Sequence, residues 1–502
     1  MGFAGSNKGS STAVLCPRRF ASLVMLMIFL GGQPAMAELS FYERMRAFRE
    51  NLIVDPYRPG YHFVNTEDTV DPFDPNGAIF WKGRYHIFYI FQDSRGHNWG
   101  HVSSIDLVHW RHHPTGLVSG MFSGNCFLNK EGVPTMCYHG QVRGGNTMAI
   151  ALDDELNTWK KLNLITPKTV EGDKFHGKYR SWDPFGWVEG DTYYAIFGGE
   201  KAAIAKSKTL EGKWEYVGDL MAHTVSDVDI NEDISCADLF KIGDKYMLLC
   251  ISHRLGCRYY LGQWKNEQFY PEFHEQMSWV DAEYFAPESL LDDKGRRIMW
   301  AWIRDRRDDE NRGEYGWNGT LSLPRVLSLG DDGMLRMEPP EELNLLRYNP
   351  KKARNLTVKA DSEVVLKKIQ GNSIEISMEM SPAGAEQFGV KVCASPDGQE
   401  QTLIYYDAGD NKLKIDTNKS SLTESPKKIE GGPLKLKPGE PLNLRIYVDK
   451  SVVEVFANGR QAVARRIYPS RKDSVNVTIF SKGGPVKVRN IRAWDMMPSN
   501  PY

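Results

Sequence analysis

Acidic side chains recur at a similar distance before glycine turns, and this is the first pattern in the sequence that suggests chemistry. Hydrolysis of a glycosidic bond requires two carboxylic groups across one pocket, one to react with the sugar carbon or with water and one to donate a proton. Folding must bring such groups together from separate parts of the chain. The acids of this pattern lie five to ten residues before the glycine of their own turn: Asp74, Asp183, Asp233, Asp238 and Glu288.

The turns themselves repeat along the first two thirds of the chain. Each follows a strand-like segment and precedes a short apolar or aromatic one, and the glycines are Gly83, Gly132, Gly190, Gly243 and Gly295. Successive glycines are 49 to 58 residues apart. Glycine reaches the positive φ of a tight hairpin turn without strain. Four-stranded units of this length are typical of a β-propeller, so five repeats predict five blades, with one irregular β-sandwich as the alternative.

The propeller hypothesis explains how distant acids could share one pocket. The first strand of each blade lines the central channel, so the acids before the turns would converge on the propeller axis. The second repeat carries Phe122-Ser123-Gly124-Asn125 in place of an acid. Several carboxylates around one pocket favour carbohydrate chemistry.

Composition narrows the range of functions. The 502 residues suggest two or three domains, or one large repeat domain and a smaller one. The 63 basic and 64 acidic residues leave a net charge of −1, so we expect no nucleic-acid partner. Hydrophobic residues make up 41% and charged residues 25%, which argues against a disordered or fibrous chain.

The first 37 residues have the order of a secretory signal peptide. Arg18 and Arg19 precede an apolar stretch at residues 20–30, and residues 35–37 read Ala-Met-Ala. We expect cleavage after Ala37, a mature chain from Glu38 and a secreted or periplasmic location. A retained membrane anchor is the alternative, and the twin-arginine motif is only partial. No later segment has about 18 uninterrupted apolar residues, so no membrane association is expected after cleavage.

The cysteines indicate neither a metal site nor a clear disulfide framework. Cys16 lies in the signal segment, and the other six cysteines show no zinc-binding spacing. Cys126 and Cys137 flank a predicted hairpin turn and could face each other across strands, whereas free buried cysteines are the commoner state in a chain this long. We predict no metal and no cofactor.

A second all-β domain is expected after the repeats. Strict alternation of apolar and polar residues predicts strands at residues 373–378, 442–448, 452–456 and 475–480, and Asn458-Gly459 predicts a hairpin turn. Pro339-Pro340 followed by two glutamates predicts a short helical connector. The predicted organisation is a five-bladed propeller at residues 38–345 and a β-sandwich at residues 346–502.

Ordered motifs across residues 58–494 resemble glycoside hydrolase family 32, the invertase, levanase and inulinase group. Each motif alone is weak evidence, whereas the ordered set is specific. The segments are Arg58-Pro59-Gly60-Tyr61-His62-Phe63, Asp74-Pro75-Asn76-Gly77, Trp99-Gly100-His101, Asp106-Leu107-Val108-His109-Trp110, Phe122-Ser123-Gly124, Trp182-Asp183-Pro184, Ser235-Cys236-Ala237-Asp238-Leu239-Phe240, Phe285-Ala286-Pro287, residues 316–325 and Val453-Glu454-Val455-Phe456.

The resemblance implies a retaining hydrolase of fructofuranosyl bonds on a propeller-plus-sandwich fold, with sucrose or a fructan as substrate. Asp74 would be the nucleophile that forms a fructosyl ester, and Asp183 would be a third carboxylate that accepts hydrogen bonds from the sugar hydroxyls. Gln92, Trp99 and Ser123 match positions that line the sugar site in the family.

The acid/base residue departs from the family pattern. Ser235 stands where the family has glutamate, and a serine hydroxyl cannot perform that proton transfer near neutral pH. Asp233 shares a strand face with Ser235 and is the first candidate to replace it. Glu288, Glu283 and Glu232 are the other candidates. Glu283 and Glu288 are also candidates for substrate binding, since Glu283 replaces a family aspartate thought to contact sugar.

Two further departures leave the substrate open. Val70-Asp71-Pro72-Phe73 replaces the usual lead-in to the nucleophile, and Trp182 takes the place of an arginine beside Asp183. Besides a fructosidase, the sequence therefore allows a carbohydrate-binding propeller with little turnover. It also allows a hydrolase of a different furanoside or of a sulfated or branched glycan.

Overall fold

The computed structural model describes residues 40–65, 72–118, 121–140, 144–165, 179–305, 307, 317–423 and 425–500. The predicted signal peptide at residues 1–37 and Asp71 lie outside these ranges. Helix α1 (Phe41–Val54) begins with a capping box, in which the Ser40 amide donates to Glu43 Oε2 at 2.8 Å and the Glu43 amide donates to Ser40 Oγ at 3.3 Å. Among the described residues no helix is long and apolar enough to cross a membrane.

Five four-stranded antiparallel sheets follow in chain order and form the blades of a propeller. The sequence-based prediction of five blades is confirmed. The blades comprise β1 (Pro75–Trp81), β2 (Arg84–Asp93), β3 (Gly96–Ser104) and β4 (Arg111–His112); β5 (Met121–Leu128), β6 (Pro134–Gly140), β7 (Gly145–Ala151) and β8 (Trp159–Leu164); β9 (Phe185–Glu189), β10 (Thr192–Phe197), β11 (Ala203–Ser207) and β12 (Glu215–Asp219); β13 (Ser235–Ile242), β14 (Lys245–Ser252), β15 (Gly256–Lys265) and β16 (Gln268–Gln276); and β17 (Tyr284–Leu291), β18 (Arg297–Ile303), β19 (Arg325–Leu329) and β20 (Leu335–Glu338).

The first strands of the blades contact one another in a closed ring, so that β17 meets both β13 and β1. Each of the five predicted turn glycines joins the first strand of its blade to the second with positive φ; Gly83 has φ 77° and Gly190 has φ 56°. A side chain at these positions would be strained. This turn chemistry is why the repeat could be read from the sequence.

Four of these innermost strands contain a shift in register close to the channel. The shifts lie between Asn76 and Ile79, Met121 and Gly124, Ser235 and Asp238, and Phe285 and Glu288. A bulge of this kind bends the strand and redirects a side chain. Cys236, at φ 49°, sits within one of them. The bulges therefore set which side chains face the channel.

The C-terminal part of the chain is a sandwich of a seven-stranded and a six-stranded antiparallel sheet, which confirms the predicted fold. Apolar side chains from the two sheets form its core. A 3-10 helix (Glu341–Leu346) lies between the last blade and the first sandwich strand, as predicted. The strands are β21 (Arg347–Lys352), β22 (Leu356–Val358), β23 (Ser362–Gln370), β24 (Ser373–Pro382), β25 (Gln387–Ala394), β26 (Thr402–Asp407), β27 (Lys412–Asp416), β28 (Ile429–Pro433), β29 (Leu442–Asp449), β30 (Val452–Ala457), β31 (Gln461–Arg466), β32 (Asn476–Lys482) and β33 (Val486–Met496).

The cysteines of the second blade do not face each other. Cys126 lies opposite Met136, and Cys137 lies opposite Asn125, so the two cysteines are offset by one residue across β5 and β6. Because side chains alternate between the faces of a sheet, they point to opposite sides. All six cysteines of the described chain are free.

A buried ionic network joins the propeller to the sandwich. Asp449 accepts hydrogen bonds from the backbone amides of Gly60, Tyr61 and His62 and from His62 Nδ1 at 3.0 Å. Glu454 contacts His62 Nε2 at 3.2 Å and Arg325 Nη2 at 3.0 Å. Burial opposes protonation of His62, but its hydrogen bonds to the two carboxylates raise its pKa. Three of the ordered motifs therefore meet at this interface and have a structural role.

Candidate active site

A cavity of about 360 Å³ lies at one end of the propeller channel. Its lining combines carboxylates, aromatic rings and two basic side chains. The described lining residues are Pro72, Asp74, Phe122, Ser123, Trp182, Asp183, Cys236, Ile251, His253, Phe285, Trp302 and Arg304. They come from all five blades, so only the closed propeller brings them together.

Asp74 lies directly before β1 and is almost buried. Its position is held by the chain around it, because its carbonyl accepts hydrogen bonds from the Ile90 amide at 3.1 Å and from Asn76 Nδ2 at 2.7 Å. Its carboxylate Oδ2 accepts a hydrogen bond from Ser123 Oγ at 2.9 Å. The Cys236 thiol lies 3.2 Å from Ser123 Oγ and 3.9 Å from the same carboxylate oxygen. The structure thus presents an oriented carboxylate to the cavity.

Asp183 is the second carboxylate of the cavity. It lies before β9 at φ 25°, a conformation that non-glycine residues rarely adopt. Gly198 packs against it, since a Cβ at that position would lie 3.0 Å from the Asp183 carbonyl oxygen. Burial, and then the nearby carboxylates of Asp74 and Asp233, raise the pKa of Asp183 to about 7. Near neutral pH this group can therefore change between a hydrogen-bond donor and an acceptor.

Asp233 and His253 form a third titratable unit beside the cavity. Ser235 Oγ donates to Asp233 Oδ1 at 2.8 Å, and His253 Nδ1 contacts Asp233 Oδ2 at 2.5 Å. Partial burial raises the pKa of Asp233, but the hydrogen bonds from His253 and Ser235 lower it overall. The hydrogen bond to Asp233 raises the pKa of His253. His253 lines the cavity, whereas Asp233 is not among the described lining residues.

Four aromatic rings shape the walls of the cavity: Phe122, Trp182, Phe285 and Trp302. The Phe122 and Trp182 ring centroids are 4.9 Å apart, and the Arg180 guanidinium lies 4.2 Å from the Trp182 ring. Arg304 lies over Phe285 at 4.7 Å. Aromatic faces pack against the apolar side of a sugar ring, while the carboxylates and cations match its hydroxyls. The cavity therefore has the chemical character of a carbohydrate site.

Two residues predicted to line the site lie elsewhere. Trp99 is fully buried in the core of the first two blades, and its Nε1 donates to the Phe122 carbonyl at 3.1 Å. It supports the cavity wall from behind because the pleat of β3 turns its ring inward. Gln92 is exposed near the end of β2, where it pairs with His97, and is not among the described lining residues.

The two predicted glutamates also lie outside the cavity. Glu283 forms an ion pair with Arg465 Nη1 at 3.2 Å and accepts a hydrogen bond from the Arg466 amide, so it belongs to the contact with the sandwich. Glu288 is buried deeper in the channel, where its Oε1 accepts a hydrogen bond from the Ala78 amide at 3.0 Å. Burial, and then Asp238, raise the pKa of Glu288. Both glutamates are thus held by contacts outside the cavity.

Sequence reasoning missed several residues of the cavity. Phe122, Phe285 and Trp182 stood inside quoted motifs, and Phe122 and Trp182 directly precede Ser123 and Asp183, which was an available signal. Trp302 lies outside the quoted motifs, and it is both buried and part of the lining. His253 had no signal, because it lies after the end of β14 and reaches the cavity only through the hairpin it shares with β15.

Outside the cavity, the first blade contains a cluster of three histidines whose ring nitrogens lie within 4.8 Å of one another: His86, His101 and His113. Burial lowers the pKa of each and so favours the neutral rings. The rings of His101 and His113 stack with centroids 4.1 Å apart, and both His113 nitrogens are hydrogen-bonded, to Ser103 and Asn157. Stacked, hydrogen-bonded rings serve packing, and the absence of a metal or cofactor stays a prediction.

Two family models match most of the chain. The N-terminal domain model of glycosyl hydrolases family 32 matches residues 71–339, and the C-terminal model of the same family matches residues 342–495. The domain boundary near residue 345 stays a prediction from the sequence.

Curated relatives and solved structures agree with this match. A sucrose-6-phosphate hydrolase from Zymomonas mobilis is 26% identical over 90% of this chain and 94% of its own, and a levanase from Bacillus subtilis is 29% identical over 87% and 70%. The crystal structure of fructan 1-exohydrolase IIa from Cichorium intybus superposes with a TM-score of 0.77 at 23% identity, covering 88% of this chain and 98% of that one. An exo-inulinase from Aspergillus awamori gives a TM-score of 0.73 at 21% identity, covering 89% and 99%. The chain belongs to glycosyl hydrolase family 32, a family of glycosidases that hydrolyse fructofuranosyl bonds.

Proposed function

We propose that this protein is an exported β-fructofuranosidase that hydrolyses sucrose or fructans with retention of configuration. The observation that carries the proposal is the pairing of Asp74 and Asp183 in one aromatic-lined cavity, with Ser123 orienting Asp74. Relatives named as a sucrose-6-phosphate hydrolase, a levanase and a fructan 1-exohydrolase support the substrate class. The signal-like order of residues 1–37 supports export.

In the proposed reaction, Asp74 attacks the anomeric carbon of the fructosyl unit while the leaving-group oxygen takes up a proton. Asp183 accepts hydrogen bonds from ring hydroxyls, and these bonds strengthen as positive charge develops on the sugar. Water then cleaves the fructosyl ester and restores the Asp74 carboxylate. The aromatic rings at Trp182 and Phe122 hold the sugar by its apolar surface.

Fructose release by the purified protein tests the proposal, with sucrose, inulin and levan as substrates. The matched control is Asp74→Asn, which keeps the shape of the side chain but removes the nucleophile. We expect release from at least one substrate and a loss on the order of 10³-fold or more in the variant. Product stereochemistry, followed by NMR in the first minutes, should show the retained anomer; an inverted product would contradict the mechanism.

A carbohydrate-binding protein with little turnover is the second candidate, and a specific observation favours it. Ser235, in the position of the family glutamate, is fully buried and donates to Asp233. If no substrate releases fructose, calorimetric titration with the same three sugars distinguishes the candidates. Binding without release supports the binding protein, and neither binding nor release points to a different glycan.

A further inference from the structure

We infer that His253 is the catalytic acid/base of this enzyme and that Asp233 is its positioning residue. The inference rests on the proposed function and names the group that supplies the proton in place of the family glutamate. The geometry assigns the role to an imidazole. Among the described residues that line the cavity, His253 is the one histidine.

The position of His253 fits proton transfer to a bound substrate. Its side chain is 68% exposed and lines the cavity together with Asp74 and Asp183. Its Nδ1 is engaged by Asp233 Oδ2 at 2.5 Å, so Nε2 is the nitrogen left to face a substrate. Phe285 lies edge-on to the imidazole with ring centroids 6.1 Å apart, which restricts the ring on one side.

Asp233 is held as a partner for the imidazole. Arg258 Nη2 donates to the Asp233 carbonyl at 2.5 Å, and the His253 amide donates to Asp233 Oδ2 at 3.2 Å. Its other oxygen accepts from Ser235 Oγ. Both carboxylate oxygens are thus engaged by hydrogen-bond donors, an arrangement that stabilises the ionised form and disfavours proton donation by Asp233 itself.

The replacement of glutamate by Ser235 is compatible with this pair and favours it. A hydroxyl at this buried position donates a hydrogen bond to Asp233, whereas a second carboxylate there would repel it. The change that removed the family acid therefore also supplied a donor that holds Asp233 toward His253. Ser235, Asp233 and His253 thus form one local arrangement.

The charges around His253 favour its protonated form. Asp233, Asp183 and Asp74 face it from three blades, and each raises the pKa of the imidazole, while partial burial lowers it. Two cations lie on the neighbouring elements. Arg254 is paired with Glu232, and Arg304 lies over Phe285 and Trp302. The carboxylates therefore stabilise an imidazolium in contact with the cavity.

Over the two steps of the reaction, His253 gives up one proton and takes one back, and Asp74 forms and then loses one bond to the sugar. In the first step the Asp74 carboxylate forms a bond to the anomeric carbon, the bond to the leaving oxygen breaks, and that oxygen takes the proton from His253 Nε2. In the second step neutral His253 takes a proton from water, whose oxygen bonds to the anomeric carbon as the ester bond to Asp74 breaks. Both residues return to their initial states.

The test compares two substrates that differ in their need for an acid. Sucrose requires protonation of its leaving oxygen, whereas p-nitrophenyl β-fructofuranoside releases a stable anion without it. For His253→Ala we expect sucrose turnover to fall about 10²- to 10⁴-fold, while p-nitrophenolate still appears in a burst of about one equivalent per enzyme. His109→Ala is the matched control, because His109 Nδ1 also contacts an aspartate, Asp106, at 2.9 Å, but outside the cavity. It should match the parent protein on both substrates.

The pH profile of Asp233→Asn provides a second test, because it would not shift if Asp233 had only a structural role. Loss of the carboxylate lowers the pKa of His253, so the alkaline limb of the pH profile of kcat/KM should shift to lower pH by about one unit. His253→Ala should lack that limb.

The outcomes separate this inference from the proposed function. If the parent protein hydrolyses sucrose and His253→Ala does so within about threefold, with the same pH profile, the inference is wrong and the proposed function stands. An equal loss on both substrates, with no burst, also overturns it, because an acid is not needed for the activated one. If the parent protein cleaves neither of these substrates and neither inulin nor levan, the proposed function fails and the inference fails with it. If it cleaves only a fructan, that fructan replaces sucrose in the same comparison.

Discussion

Ser123 Oγ donates a hydrogen bond to Asp74 Oδ2 across 2.9 Å. This bond links β5, the innermost strand of the second blade, to the residue that directly precedes β1. The second repeat has no acid at this place, and the structure shows why a hydroxyl serves there. A donor orients the neighbouring carboxylate, whereas another acid would compete with it for protons.

Ser123→Ala removes this hydrogen bond without altering the fold of β5. A hydrogen bond to a charged group contributes about 1.5–3 kcal/mol, so we expect kcat to fall about 10- to 100-fold with a smaller change in KM. Steady-state kinetics on the best substrate measures the effect. Ser104→Ala is the matched control, since Ser104 Oγ donates to Asp106 at 3.0 Å outside the cavity. Equal kinetics for the two variants would contradict the role of Ser123.

Asp183→Asn should raise stability and abolish efficient turnover. The pKa of Asp183 is raised to about 7, so the folded protein binds a proton that the unfolded chain releases above its ordinary pKa near 4. The contribution of this group to stability is therefore present below pH ~4 and is lost as pH rises to ~7.

Urea unfolding of the parent protein and Asp183→Asn between pH 4 and 8 measures this effect. An uncharged amide avoids the burial of charge, so the variant should be the more stable protein at pH 8 and should show a flatter pH dependence. A variant that is less stable at every pH would show that Asp183 has a structural role instead.

His62→Gln tests the ionic network between the domains. Removing one partner of a buried charge cluster costs about 3–5 kcal/mol, because Asp449 and Glu454 stay charged and buried. Since the folded pKa of His62 is raised, its contribution is present below pH ~6.5 and is lost as pH rises through the folded pKa.

The deficit of His62→Gln in unfolding free energy should therefore be largest at mildly acidic pH and shrink toward alkaline pH. Chemical denaturation at several pH values measures it. His223→Gln, at an exposed histidine in the fourth repeat, is the control and should have no such pH-dependent deficit. A deficit that does not change with pH would mean that His62 acts through packing alone.

Glu288→Gln should leave turnover within about threefold of the parent protein. The glutamate is outside the cavity, its raised pKa favours the neutral form, and a glutamine Oε1 can still accept the hydrogen bond from the Ala78 amide. Steady-state kinetics of Glu288→Gln, measured alongside Asp74→Asn and the parent protein, tests this expectation. A loss comparable to that of Asp74→Asn would return Glu288 to the list of acid/base candidates.

The sequence by itself determined the architecture. Turn glycines at a period near fifty residues and strict alternation in the second half are local signals, because positive φ and the two-residue pleat depend on neighbouring residues alone. The same is true of Pro339-Pro340 before the 3-10 helix and of the turn at Asn458-Gly459. The resemblance of the ordered motifs then placed Asp74, Asp183 and Ser123 in one site, and the structure brings these three side chains together.

Only the tertiary structure decided which other residues reach that site. Glu283 and Glu288 stood at suitable distances along the chain, but burial, strand direction and the contact with the sandwich placed one at the domain interface and the other below the cavity. The ring of Trp99 turned into the core. His253 entered the cavity because the hairpin of β14 and β15 carries it beside Asp233, twenty residues earlier in the chain. Such contacts depend on bulges and on closure of the propeller ring, which link distant residues and leave no periodic trace in the sequence.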